Sequence, residues 1–151
     1  MKRTKKVYAI KYFYKDDRTN ELFGCTMLTF KYKKHKWNTV NEVDMCKTGF
    51  HFPNTYDIFS ANNASYYDGY SSTCNLSRIG STLEVYLIQI KGSFISHRDK
   101  ICVESIKLIR RLKHIKSRED IIKKVNKLKE KYYMVYSDKF IEQHLEYGNI
   151  K

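Results

Sequence analysis

The apolar and polar positions of the chain divide it into runs of distinct period. Val7 to Tyr14 reads VYAIKYFY, a β-branched and aromatic stretch, and the polar KDDRTNE separates it from LFGCTMLTFKY, so the two predict an antiparallel hairpin. The polar KKHKWNTVNEVDM that follows is predicted to be irregular. Pro53, with Asn54 or Thr55 as cap, predicts a short helix through DIFSANNASYY that turns Ile58, Phe59, Ala61, Ala64 and Tyr66 inward. After the loop DGYSSTCNLSRIGS comes TLEVYLIQIKG, the most apolar stretch, whose length and Val, Tyr and Ile content predict a central strand covered on both faces. SFISHRD reads as a turn. In KICVESIKLIRRL, Ile101, Val103 and Ser105 alternate with Cys102, Glu104, Ile106 and Leu108, which predicts a second core strand.

Beyond it the period changes. Ser117-Arg118-Glu119-Asp120 fits a capping box, and Ile121, Ile122, Val125 and Leu128 mark one face of a helix whose other face is nearly all lysine. Tyr132 to Tyr136 predicts a short strand or turn, and Ser137 opens a last helix burying Phe140, Ile141 and Leu145. The expected fold class is α+β, a mainly antiparallel sheet flanked by two or three helices. It forms one domain, with a sheet core and one short helix over 1–112 and a basic helical part over 113–151.

Composition narrows the function classes. A hydrophobic share of 42% across 151 residues is too rich for a disordered chain, and no apolar run approaches the ~20 residues that span a bilayer. No partner membrane is expected. The start, MKRTKKVYAIKYFYKDD, lacks the smooth apolar stretch of a signal peptide, which points to an intracellular protein. Cys25, Cys46, Cys74 and Cys102 are scattered without a C-x-x-C pair and read as reduced, buried thiols. The formal charge of +13 favours polyanionic partners, although Lys, Asn, Ile and Tyr are also the residues that AT-rich codons supply.

The charge is concentrated. From Lys107 to Lys131 there are eleven Lys or Arg against three acids, and Lys116, Lys123, Lys124, Lys127 and Lys131 are the expected nucleic-acid contacts, each neutralised phosphate adding salt-dependent affinity. Aromatics near the first strands (Tyr8, Tyr12, Tyr14, Phe30, Tyr32 and Trp37) offer stacking surfaces if exposed. A lysine face is also what any solvated helix shows. His35, His51, His97, His114 and His144 never fall at i, i+4 around an acid, so no metal is expected, and neither a G-x-S-x-G elbow nor a P-loop is present. His51 itself reads as a turn residue whose ring bonds the backbone while Gly49 supplies a positive φ.

The run Cys46-Lys-Thr-Gly49-Phe50-His51, followed by a Tyr-Tyr-ended segment, V-Y-L-I-Q-I-K-G and D-K-I-C-V-E-S-I-K-L-I-R, resembles an uncharacterised family of small proteins from tailed phages and large DNA viruses. The likeness spans residues 44–112; a cysteine that the family carries two residues after the histidine is Pro53 here. The family brings no established activity with it; the viral likeness taken with the basic face leads to the expectation of a non-enzymatic viral or phage-type accessory protein, in host cytoplasm or virion, with nucleic acid or a virion or host protein as partner. More distantly, Gly49-Phe50-His51-Phe52, Ala61 to Tyr66 and Glu104 are similar to the successive motifs of ADP-ribosyltransferases. That likeness implies NAD as cofactor, with Gly49, Phe50 and Tyr66 binding it, His51 stacking on nicotinamide and Glu104 polarising a ribose hydroxyl. The family's His-Gly motif has no counterpart in the first strands.

Overall fold

A computed structural model describes residues 5–24, 30–44, 47–53, 81–97, 100–115, 118–136 and 147–150. The predicted helix after Pro53, Tyr66, Lys116, the capping Ser117 and the helix from Ser137 lie outside the described residues, as do Cys25, Cys46 and Cys74.

The fold is α+β and dominated by one antiparallel sheet. Its strands are β1 (Val7–Asp16), β2 (Leu22–Phe23), β3 (Trp37–Thr39), β4 (Phe50–Pro53), β5 (Ser81–His97), β6 (Lys100–Leu112) and β7 (Tyr147–Ile150), with one described helix, α1 (Arg118–Lys129). The path runs β2-β1-β5-β6-β3, with β4 also on β6 and β7 also on β5. The two long strands therefore each carry two shorter partners in line: β1 and β7 on β5, β3 and β4 on β6.

Two readings of the sequence need correction. β5 does not stop before SFISH but continues to His97, because Gly92 and Ser93 form a bulge opposite the single residue Glu104. Gly92 has φ +91°, and the Ser93 N–H displaced from the ladder donates to Glu104 Oε2 at 2.9 Å. The polar stretch around Trp37 is likewise not irregular throughout: Trp37–Thr39 pairs with Lys107 to Ser105. Its anchor is Asn38, 3% exposed, whose Oδ1 accepts from the Lys33 N–H at 2.7 Å while Nδ2 donates to the carbonyls of Lys33 and Lys36 at 3.0 and 3.1 Å. One amide side chain thus closes the Lys33–Lys36 turn, which also contains His35 at φ +61°.

The core lies against both faces of the sheet. Ile121, Val125 and Leu128 are buried at the spacing of one helical face and pack α1 into the apolar cluster, while Glu119 and Asp120 in its first turn and Lys127 and Lys129 in its last complement the helix dipole. Phe13, Phe30, Tyr32 and Phe50 form a chain of ring contacts with centroids 4.8–5.9 Å apart. The outer edge of β1 is covered at three places. Tyr8 exchanges hydrogen bonds with Tyr133 and Val135, the Ile10 N–H donates to the Tyr136 hydroxyl at 3.2 Å, and Tyr14 pairs with Phe23. Among the described residues no helix is long and apolar enough to cross a membrane.

Candidate functional site

Two arrangements of polar side chains stand out, one buried and one exposed. The buried one begins with Lys11. Strand alternation places it between Ala9 and Phe13, and the sheet curls far enough that its ammonium, on β1, donates to the backbone carbonyl of His51 on β4. Lys11 is 5% exposed, and burial pulls its pKa from the usual 10.5 down to about 8. The next influence on it is Cys102, which is itself fully buried and donates its thiol to the Thr48 carbonyl at 3.3 Å.

His51 sits opposite Cys102 in the β4–β6 register. Burial, and then the neighbouring Lys11 charge, lower its pKa from 6.5 to about 4, so the ring is neutral at pH 7. Nδ1 lies 3.2 Å from the Gly49 carbonyl, which can only accept, so Nδ1 carries the hydrogen. Gly49 has φ +118°. The ring bonded to backbone beside a positive-φ glycine is the turn-closing geometry read from the sequence. Phe50 is fully buried against Phe30 and Tyr32, so its ring belongs to the core. Glu104 follows Cys102 by two positions on β6, and its carboxylate is engaged by the bulge at Ser93.

The exposed arrangement is cationic. A hollow of about 690 Å3 is walled by the end of β1 and the turn after it (Lys15, Asn20), the Lys33–Lys36 turn (Lys34, His35) and the end of β6 with the residue that follows it (Arg110, Arg111, Lys113), and Glu84, Tyr86 and Leu108 also line it. Each wall has a local cause. Asp16 Oδ1 accepts from the N–H groups of Arg18 and Thr19 at 2.8 and 3.2 Å and tightens the first turn, with Asn20 at φ +61°. Asn38 fixes the second turn, and the His35 N–H donates to the Leu108 carbonyl at 3.3 Å. In the third, β6 inserts the extra residue Ile109 between its pairings with Leu87 and Ile88, a bulge that re-aims the strand end.

Glu84 is the single acid among the lining residues. It is 4% exposed and holds Arg111 Nε at 2.7 Å and Lys15 Nζ at 3.7 Å. Lys34, Arg110 and Lys113 have no acid within ion-pair distance among the described residues. A second hollow of about 500 Å3 adjoins, lined by Arg110, Lys124, Lys127, Leu128, Glu130 and Lys131. Arg110 lines both.

Of the predicted nucleic-acid contacts, the structure thus brings Lys124, Lys127 and Lys131 to one hollow, while Lys123 is exposed on α1 outside both. The sequence reading missed Lys15 and Lys34, which are far apart in the chain, and left Arg110, Arg111 and Lys113 as members of a basic run. It missed Lys11 altogether. Among the described residues no three His, Cys, Asp or Glu side chains gather as metal ligands. No protein-family profile, curated protein or solved structure matches the chain.

Proposed function

We propose that the chain is a small, basic, non-enzymatic accessory protein, of the viral or phage kind its Cys-x-x-Gly-Phe-His core resembles, that binds nucleic acid through the paired cationic hollows. The observation that carries this reading is the position of Arg110 on the shared wall, which makes one surface of the cations from β1, β6 and α1. A convex lysine face would be indifferent to partner shape. Here the cations line concavities, where low-dielectric walls focus the field on a ligand. An aromatic ring lies close to the second hollow: Lys131 Nζ is 5.5 Å from the Tyr132 ring centroid. The alternative of an NAD-dependent transferase centred on His51 and Glu104 draws no support from their backbone contacts at Gly49 and Ser93.

Fluorescence anisotropy with a labelled single-stranded oligonucleotide tests the reading. Binding is expected at low salt, with log K falling against log salt at a slope of about −2 to −4, the value for three to six neutralised phosphates. Arg110→Glu should weaken binding roughly tenfold and flatten that slope, whereas Lys123→Ala should change it little. No binding to DNA or RNA at low salt ends the proposal.

A further inference from the structure

The two hollows differ in a way that a continuous strand does not explain. The one along α1 contains its own acid, Glu130, and lies between the flank of the helix and Arg110 of β6. The one at the end of β6 is walled by three separate segments, and its acid is already consumed: Glu84 holds Arg111 and Lys15 from a buried position. What remains is a concave set of Lys34, Arg110 and Lys113, all exposed, with no acid partner among the described residues.

Three unpaired cations lining one hollow exceed what one internal phosphodiester, with a single charge, can use. A phosphomonoester carries close to two charges at neutral pH and three acceptor oxygens, and a guanidinium can grip two of them in a fork. The hollow's volume of about 690 Å3 falls within the ~300–1,000 Å3 range of small-molecule sites. Arg110 connects it to the second hollow, so a strand whose end sits in the first can leave along Lys124, Lys127 and Lys131.

We infer that the hollow formed by the two turns and the end of β6 seats the terminal phosphomonoester of a nucleic-acid strand, whose following nucleotides run over α1. This rests on the nucleic-acid reading above and adds an end preference to it. Glu84 has no contact with the phosphate in this arrangement; it fixes Arg111 and Lys15 as the rigid rim.

The test uses the full chain and three oligonucleotides of one sequence: phosphorylated at the 5′ end, at the 3′ end, or carrying hydroxyls at both. One phosphorylated end should bind roughly tenfold more tightly than the hydroxyl form, the worth of about one added charge-assisted hydrogen bond. Lys34→Ala with Lys113→Ala, both at exposed positions, should erase that preference, so that within this variant the phosphorylated and hydroxyl oligonucleotides bind alike. Lys127→Ala with Lys131→Ala should weaken all three alike. Equal affinity for the three oligonucleotides, with salt-dependent binding retained, overturns the end-binding inference and leaves the nucleic-acid reading standing. Failure of all three to bind at low salt removes both. A free nucleoside monophosphate that competes as well as the phosphorylated strand would make the ligand a nucleotide and overturn the strand-end assignment.

Discussion

Gly49→Ala is expected to cost the fold roughly 2–5 kcal/mol, a large share of the ~5–15 kcal/mol that holds a domain of ordinary stability together. Two independent penalties add at this position. The backbone stands at φ +118°, where an L side chain strains its own carbonyl. A Cβ built there would also run into the sulfur of Cys102 and come within 3.4 Å of the Val103 carbonyl oxygen. Neither neighbour has room to move, since Cys102 and Val103 are fully buried on β6. Urea unfolding measures the sum, and a second substitution separates its parts. Cys102→Ala removes the sulfur, so in the double variant the collision disappears while the strain stays. The double variant should therefore lose less than the two single losses added together, by about 1–3 kcal/mol. Strict additivity would show that the contact with Cys102 is not what keeps position 49 a glycine.

The second large effect is a dependence of stability on pH that Lys11 carries. Its pKa is about 8 in the folded chain and near 10.5 when unfolded, so between those values the unfolded chain holds a proton that the folded chain has released. Stability contributed by this group therefore rises with pH through that window. The rise amounts to roughly 2 kcal/mol between pH 7.5 and 9.5. Burial and then the Tyr132 charge raise the pKa of Tyr8, and burial raises those of Tyr32 and Tyr136, so in the unfolded chain these phenols ionise first and stability falls again above about pH 10. Comparison with Lys11→Met cancels the other titrating groups. The difference in unfolding free energy between the natural chain and this variant should shift by roughly 2 kcal/mol in favour of the natural chain across that interval. Parallel profiles would mean that Lys11 remains charged in the fold at pH 9.5.

The parts of this architecture that sequence made visible are those dictated by local periodicity. VYAIKYFY, TLEVYLIQIKG and KICVESIKLIRRL are apolar enough to require burial on a sheet, and Ile121, Val125 and Leu128 repeat at the helical interval. The parts it hid depend on partners distant in the chain. The segment from Ser93 looks like a turn until Glu104, across the ladder, takes up the displaced Ser93 N–H. Trp37–Thr39 looks too polar for a strand until Asn38 is seen to spend its amide on the preceding turn. The cationic hollow is hidden for the same reason, because Lys15 and Lys34 join Arg110 and Lys113 only through the strand order. Lys11 is different. Alternation alone places it on the face of Ala9 and Phe13, and a lysine inside a run covered on both sides was a readable sign of a buried amine.

The covering of the β1 edge at these places bears on how this chain behaves in concentrated solution. A strand as rich in tyrosine, isoleucine and phenylalanine as VYAIKYFY, free of proline, has the composition of a segment that recruits identical copies into cross-β stacks. Recruitment needs an open row of backbone donors and acceptors. Tyr133 and Val135 take those of Tyr8, the Tyr136 hydroxyl takes the Ile10 N–H, and Phe23 pairs with Tyr14. The short Tyr132–Tyr136 segment is thus a guard against self-association, and the strand it shields carries its own gatekeeper, the single charge of Lys11.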